Sequence, residues 1–335
     1  MGKTSIIALS GPSSSGKTTL ARLLQRIFSN QHQPQPQGSK TSLFLSTFII
    51  HEDDFYHPDD KIPITTTKSN EPIQNWDCLE ALDIPFLTSA LTYVHIHGHL
   101  PPRLRSKEDL NEVSSDSGVS EDLITELRNV VSMRLSGFES VDADGWTLAL
   151  LEGFLLYAPP VSLPGGERHG LRGVHDQLDV KFFLPAPYDA VKGRREKRSG
   201  YVTIGPAPTP GVSQSPEEGS QDETMQVDLD ALDAEDDRPP QNFWTDPPGY
   251  VDDIVWPRYV RDHAWLLLPE DGGVESLSLI EDTDELIKMA GQGVKLRTDA
   301  GVTVAPGQGA LPMTEILKWA VEQVLEHLEQ KVGTK

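Results

Sequence analysis

The run "TSIIALSGPSSSGKTTLARLLQRIF" (residues 4–28) limits the possible folds more than any other stretch of this 335-residue chain. Its first seven residues are short and apolar, as a buried strand requires, and an amphipathic helix follows. Between them, Gly11, Gly16, Lys17 and Thr18 satisfy G-x-x-x-x-G-K-[ST] in the strand–turn–helix context that this pattern needs. Glycines let the backbone curl around phosphates with its amides turned inward, and the helix N-terminus adds a favourable dipole. Gly11, Pro12, Ser13, Ser14, Ser15, Gly16, Lys17, Thr18 and Thr19 are therefore expected to cradle the phosphates of a nucleotide. In that reading Lys17 reaches the β- and γ-phosphates and Thr18 ligates Mg²⁺.

Beyond this loop, strand and helix patterns alternate. "TFIIHEDD" (47–54), "GWTLALLEGFLLY" (145–157) and "LDVKFFLP" (178–185) read as strands. "CLEALDIPFLTSALTYV" (78–94) and "YDAVKGRREKRSG" (188–200) read as helices. In "MTEILKWAVEQVLEHL" (313–328) apolar residues fall at 316, 317, 320, 321, 324, 325 and 328, a helical stripe that should dock on a sheet. Such alternation predicts an α/β fold: a parallel sheet flanked by helices, with ligands at the carboxyl ends of the strands. Four polar segments interrupt it, at 30–41, 103–144, 205–243 and 269–293, and read as disordered or loop insertions. Within the second, "EDLITELRNVVSMRL" (121–135) has the spacing of an amphipathic helix. The remainder suits a single domain spanning 1–335.

Charge and cysteine content narrow the setting. The net charge is −22, and residues 215–237 alone carry ten acidic and no basic side chains. A run of that kind is expected to be solvated, and it argues against nucleic acid as a partner, which demands clustered Lys and Arg. No apolar run approaches the roughly 18 residues that span a bilayer, so no membrane partner is expected. With Cys78 as the only cysteine there is no intrachain disulfide. A reducing compartment is expected, cytoplasmic with the nucleus also open.

Three further groups point to phosphoryl transfer. Asp53 and Asp54 end a strand near the loop, where a small-alcohol kinase needs a carboxylate to orient a hydroxyl, accept its proton and help hold metal. Glu152 ends the next strand, where a carboxylate can hold metal. Read from the residues alone, all three could also be solvated strand-end acids. "KGRREKR" gathers Lys192, Arg194, Arg195, Lys197 and Arg198 on one short helix, the cation cluster of a closing lid or else a solvated basic face. A GTPase reading lacks its N-K-x-D guanine motif.

Together, "GPSSSGKTTLARLL", "HEDDFY", "NWDCLEALD", "LLEGFLLY", "FFLPAPYDAVKGRREKR" and "DPPGYVDDIVWPRYV" resemble nicotinamide riboside kinases, in the uridine-kinase-like branch of P-loop kinases. The resemblance implies a P-loop kinase fold with a lid helix. It also implies ATP-dependent phosphorylation of the 5′-hydroxyl of nicotinamide riboside, and of nicotinic acid riboside, toward NAD. By matching motifs it makes Asp53 and Lys17 catalytic, puts Mg²⁺ on Thr18 and Asp53, beside the Glu152 already read as a metal group, and turns residues 11–19, Arg194 and Arg198 toward ATP. Asp53, Asp54, Phe55, Tyr56, Trp76, Asp77, Arg195 and Tyr201 then form the riboside site, with Trp76 stacked on the pyridine ring and Asp77 on ribose hydroxyls. The stretch "RTDAGV" (297–302) resembles the family's adenine-side loop. A uridine or cytidine kinase is the alternative, but the E-R-G-R-D stretch typical after such a lid is absent. A non-catalytic nucleotide-binding scaffold is a further alternative.

Two local patterns remain open. Asp77 with Glu80 reads as a capping box, with Trp76 stapled to Ala81 at a helix start, so the pair has a purely local explanation beside the resemblance. His95, His97 and His99 alternate in a polar stretch, more in the manner of incidental surface histidines than of a metal site.

Overall fold

A computed structural model describes residues 4–29, 45–102, 104, 106, 117–135, 146–163, 165–198, 200–203, 205, 242–267, 283–290 and 296–333. Segment 30–41 and the acidic run 215–237 lie outside these residues.

Strand β1 (Thr4–Ser10) is buried along its whole length because it lies at the middle of a five-stranded parallel sheet. Helix α1 (Lys17–Phe28) leads to β2 (Leu45–His51). A small antiparallel hairpin, β3 (Ile64–Thr66) with β4 (Pro72–Gln74), precedes α2 (Ile84–His97) and α3 (Glu121–Leu135). The chain returns through β5 (Trp146–Gly153), a short α4 (Arg172–His175) and β6 (Val180–Phe183) to the lid helix α5 (Tyr188–Arg195). A second hairpin, β7 (Tyr201–Thr203) with β8 (Asn242–Trp244), is followed by α6 (Trp256–Leu267) and α7 (Thr283–Ala290). Strand β9 (Thr303–Val304) and α8 (Met313–Gly333) complete the fold, and the sheet order is β2-β5-β1-β6-β9.

Alternation along β1 separates two cores. Ile6 and Ala8 face a layer that contains α2 and α6, whereas Ile7 and Leu9 face α1, α3 and α8. All seven stripe positions of α8, from Ile316 to Leu328, are buried. The amphipathic helix expected inside 103–144 forms as α3, buries Ile124, Leu127, Val131 and Leu135, and packs between α1 and α8. Arg134 joins it to Glu322 and Glu329 of α8 at 2.6 and 2.7 Å. Two segments that look like insertions by composition thus contribute packed helices, since α7 likewise buries Leu286 and Ala290 within 269–293.

Several boundaries move, each for a local reason. β2 stops at His51 because Glu52–Phe55 form a tight turn, and β5 stops at Gly153. The helix expected from Cys78 begins at Ile84: the Asp83 carboxylate caps it by accepting from the Phe86 amide at 3.0 Å, and Pro85 occupies its first turn. Asp77 is therefore not the cap. The sequence pattern did not signal β9. His95 hydrogen-bonds the Gln177 carbonyl at 2.8 Å, while Tyr93, His97 and His99 form a surface ring cluster.

His263 on α6 is buried against Phe183 and Tyr259, and burial lowers its pKa to about 4. Its neutral form is the one that fits, so the stability it permits is intact above the unfolded value near 6.5 and is lost as pH falls toward 4. The melting temperature of His263→Leu minus that of wild type should therefore increase as pH is lowered across this window. A constant difference would exclude the effect.

Candidate active site

Parallel register sets what the strand ends bring together. Leu9 lies opposite Glu152, Ser10 opposite Gly153, and His51 opposite Glu152 on the other side. His51 Nδ1 consequently donates to Glu152 Oε1 at 2.7 Å, and the Thr18 hydroxyl donates to the same oxygen at 3.1 Å. Burial pushes the Glu152 carboxyl up, but His51, Lys17 and Thr18 together hold it below its ordinary value. Next to it, Glu52 is fully buried and accepts from the Leu155 amide at 3.1 Å, and burial raises its pKa to about 8. Gly153 makes room for it, since a Cβ there would overlap the Glu52 carboxylate.

The loop between β1 and α1 needs its glycines. A Cβ at Gly11 would strike the Leu184 carbonyl, and Gly16 adopts a φ of 100° at the helix cap. Lys17 is buried and donates to the Pro12 carbonyl at 3.0 Å. Burial lowers its pKa against the opposing pull of Glu152, Asp53 and Glu52. The hydroxyls of Ser14 and Ser15 are buried with no hydrogen-bond partner among the described residues, as suits a loop shaped for an anion. Arg194 of the lid donates to the Ser14 carbonyl at 3.2 Å.

On the other side of the opening, Arg195 is buried and grips both Asp77 oxygens at 3.1 Å each, with Asp246 at 2.6 Å. The rings of Tyr201 and Tyr250 lie 5.2 and 5.5 Å from its guanidinium. Trp244 donates to Asp246 at 2.9 Å, and its ring lies 5.8 Å from that of Trp76 at a 51° tilt. Tyr56 meets Trp76 edge-on at 5.3 Å and stacks toward Phe154 at 6.3 Å. The Tyr250 hydroxyl fixes the Trp76 backbone, accepting from its amide at 3.0 Å and donating to the Gln74 carbonyl at 3.2 Å.

Most of these groups surround one cavity that opens to solvent. An anion-shaped loop, three carboxylates (Asp53, Asp77, Glu152), lid arginines and a wall of aromatic rings line it. Such a site suits a polyphosphate at one end and a flat ring at the other.

No protein-family model matches the chain. Among curated proteins, it is 28% identical to a nicotinamide riboside kinase of Schizosaccharomyces pombe, over 80% of this chain and 83% of that protein. It is 27% identical to a nicotinamide riboside kinase of Saccharomyces cerevisiae over 82% and 83% of the two chains. With the human nicotinamide riboside kinase 1 it shares 24% over 81% and 85%. The chain is a homologue of the nicotinamide riboside kinases. Its α/β architecture, with the phosphate loop between β1 and α1, is that of a P-loop kinase.

Residues that the resemblance to nicotinamide riboside kinases singles out are largely gathered here. Ser13, Ser14, Gly16, Lys17, Thr18, Thr19, Asp53, Tyr56, Trp76, Asp77, Glu152, Arg195, Arg198 and Tyr201 all line the cavity. Gly11, Pro12 and Ser15 shape the loop behind it, and Arg194 reaches the loop backbone. Two residues differ from expectation. Phe55 points into the core against Phe86 at 5.1 Å, and Asp54 is buried beside it without lining the cavity. In the tight turn 52–55, Asp53 lines the cavity whereas its neighbours are drawn inward. "RTDAGV" also stays off the lining, with Arg297 paired to Asp299 at 2.6 Å. Sequence reading overlooked His51, Glu52, Phe154, Trp244 and Asp246. His51 and Glu52 within "HEDDFY", Phe154 within "LLEGFLLY" and Asp246 at the start of "DPPGYVDDIVWPRYV" stand inside recognisable motifs with no role assigned to them, whereas Trp244 lies outside every one of these motifs.

Arg195 should be indispensable to stability. Arg195→Ala would leave Asp77 buried without its counter-charge and should cost about 3–5 kcal/mol in urea unfolding. Adding Asp77→Asn to it should restore part of that loss, a coupling visible in a double-mutant cycle.

Proposed function

We propose that this chain transfers the γ-phosphate of ATP to the 5′-hydroxyl of nicotinamide riboside, and of nicotinic acid riboside, forming the mononucleotides that lead to NAD. The observation that carries this reading is the shared cavity. The loop that suits ATP phosphates, a strand-end aspartate and an aromatic corner open into the same space.

The pyridine ring rests in the corner made by Trp76 and Trp244. Nicotinamide riboside bears a fixed positive charge, and an aromatic face attracts a cation by roughly 0.5–2 kcal/mol depending on desolvation. Asp77, oriented by Arg195, accepts from the ribose hydroxyls. Tyr201 contributes through the arginines: its ring lies 5.2 Å from the guanidinium of both Arg195 and Arg198, which it orients.

Asp53 orients the 5′-hydroxyl and takes its proton. Lys17 and the loop amides hold the β- and γ-phosphates, and Arg194 and Arg198 balance charge on the moving phosphoryl group. Thr18, Asp53 and Glu152 form a set of hard oxygen donors that suits magnesium, whose usual share of protein ligands beside nucleotide is one or two carboxylates. Bound there, the ion would neutralise phosphate charge. His51 keeps Glu152 turned toward Thr18.

Two measurements test this reading. Purified protein given ATP, magnesium and each nucleoside in turn should phosphorylate nicotinamide riboside and nicotinic acid riboside well above uridine. Preferential turnover of uridine would overturn it. Asp53→Asn should lower turnover by about 10²–10⁴-fold with ATP affinity largely kept, as loss of a positioned proton acceptor requires; near-normal turnover would remove Asp53 as the base.

A further inference from the structure

The two indoles of the ring corner stand on different hairpins that share no strand pairing. Trp76 follows β4 of the first hairpin, and Trp244 ends β8 of the second, opposite Tyr201. Their 5.8 Å ring separation therefore needs a tie between the hairpins. Asp59, in the short turn after the catalytic segment 52–56, makes contacts of that kind on both sides. Its carboxylate accepts from the Thr203 hydroxyl at 2.7 Å, the Gly205 amide at 3.1 Å and the Asn242 side-chain amide at 3.2 Å. Its own amide donates to the Gly205 carbonyl at 3.0 Å, and its carbonyl accepts from the Gln74 side chain at 2.6 Å.

One residue thus holds the last residue of β4 and both strands of the β7–β8 hairpin. The carboxylate bonds fall where they matter most for the second hairpin. Residues 204–241 separate β7 from β8 in sequence, and Asp59 grips the two strands at that end. A charged acceptor serving three donors is among the stronger ways to fix such a position.

We propose that Asp59 is a positioning residue for riboside recognition: by tying the β7–β8 hairpin to the Trp76 hairpin, it sets the width of the aromatic corner and with it the affinity for the pyridine ring. The inference rests on the function proposed above. Asp59 touches neither nucleotide loop nor base, so its contribution should fall on one substrate only.

Asp59→Ala removes the carboxylate and keeps both backbone contacts. The KM for nicotinamide riboside should rise by about tenfold, with kcat and the KM for ATP within about twofold of wild type. Asp59→Asn, which retains one acceptor oxygen, should give a smaller rise in the same KM. Hydrogen exchange supplies an arm that needs no substrate: amides of 201–203 and 242–244 should exchange faster in Asp59→Ala, while those of β1 and β5 do not change. Equal rises in both KM values, or unchanged exchange in the hairpin, would overturn the proposal. If wild type fails to phosphorylate the riboside while hairpin exchange still accelerates in the variant, the riboside reading falls and the tie by Asp59 stands.

Discussion

The phosphate side of the site depends on the parallel register of β2, β5 and β1. Because the three strands end level, the phosphate loop, Glu152 and His51 emerge at one height. A slip of one residue in β5 would turn Glu152 into the opposite core layer and bury it without His51 or Thr18. The hydrogen bonds from His51 and Thr18 are thus products of strand pairing, and the pairing is enforced by two apolar layers that alternate along β1. The geometry of this side of the cavity follows from core packing.

The aromatic side has a different origin. None of Trp76, Asp77, Arg195 or Trp244 lies on the main sheet. They are held by buried charge and by rings: Arg195 pairs with both Asp77 and Asp246, and Tyr201 and Tyr250 flank its guanidinium. Three partly desolvated charges are tolerated because each is hydrogen-bonded to another, and removing any one exposes the others to the full cost of burial. One half of the cavity is thus fixed by a hydrophobic core and the other by a polar network.

This division explains what could be read from the sequence. The loop, four of the five sheet strands and the α8 stripe were legible because local pattern and global fold agree. Trp76 and Asp77 carried a local signal that misled: they look like a staple and a cap, yet Asp83 caps the helix and Asp77 turns to Arg195, an ion pair 118 residues apart in sequence. Phe55 shares a motif with Asp53 but, two residues on, enters the core. Trp244 was invisible because its partner strand lies before a long segment, and sequence spacing says nothing about contacts across such a gap. His51 and Glu52 read as parts of an acidic strand end, since only strand register reveals their shared neighbour.

The β7–β8 hairpin has a further consequence for how this wall tolerates chain length. Its two strands are joined to each other by pairing and to the first hairpin by Asp59, so their closure does not depend on how many residues separate them in sequence. Lineages could therefore lengthen or shorten that connection at little thermodynamic cost. A chain cut within 206–241 could even reassemble from two fragments, the first supplying the phosphate loop and Trp76, the second Trp244 and α8.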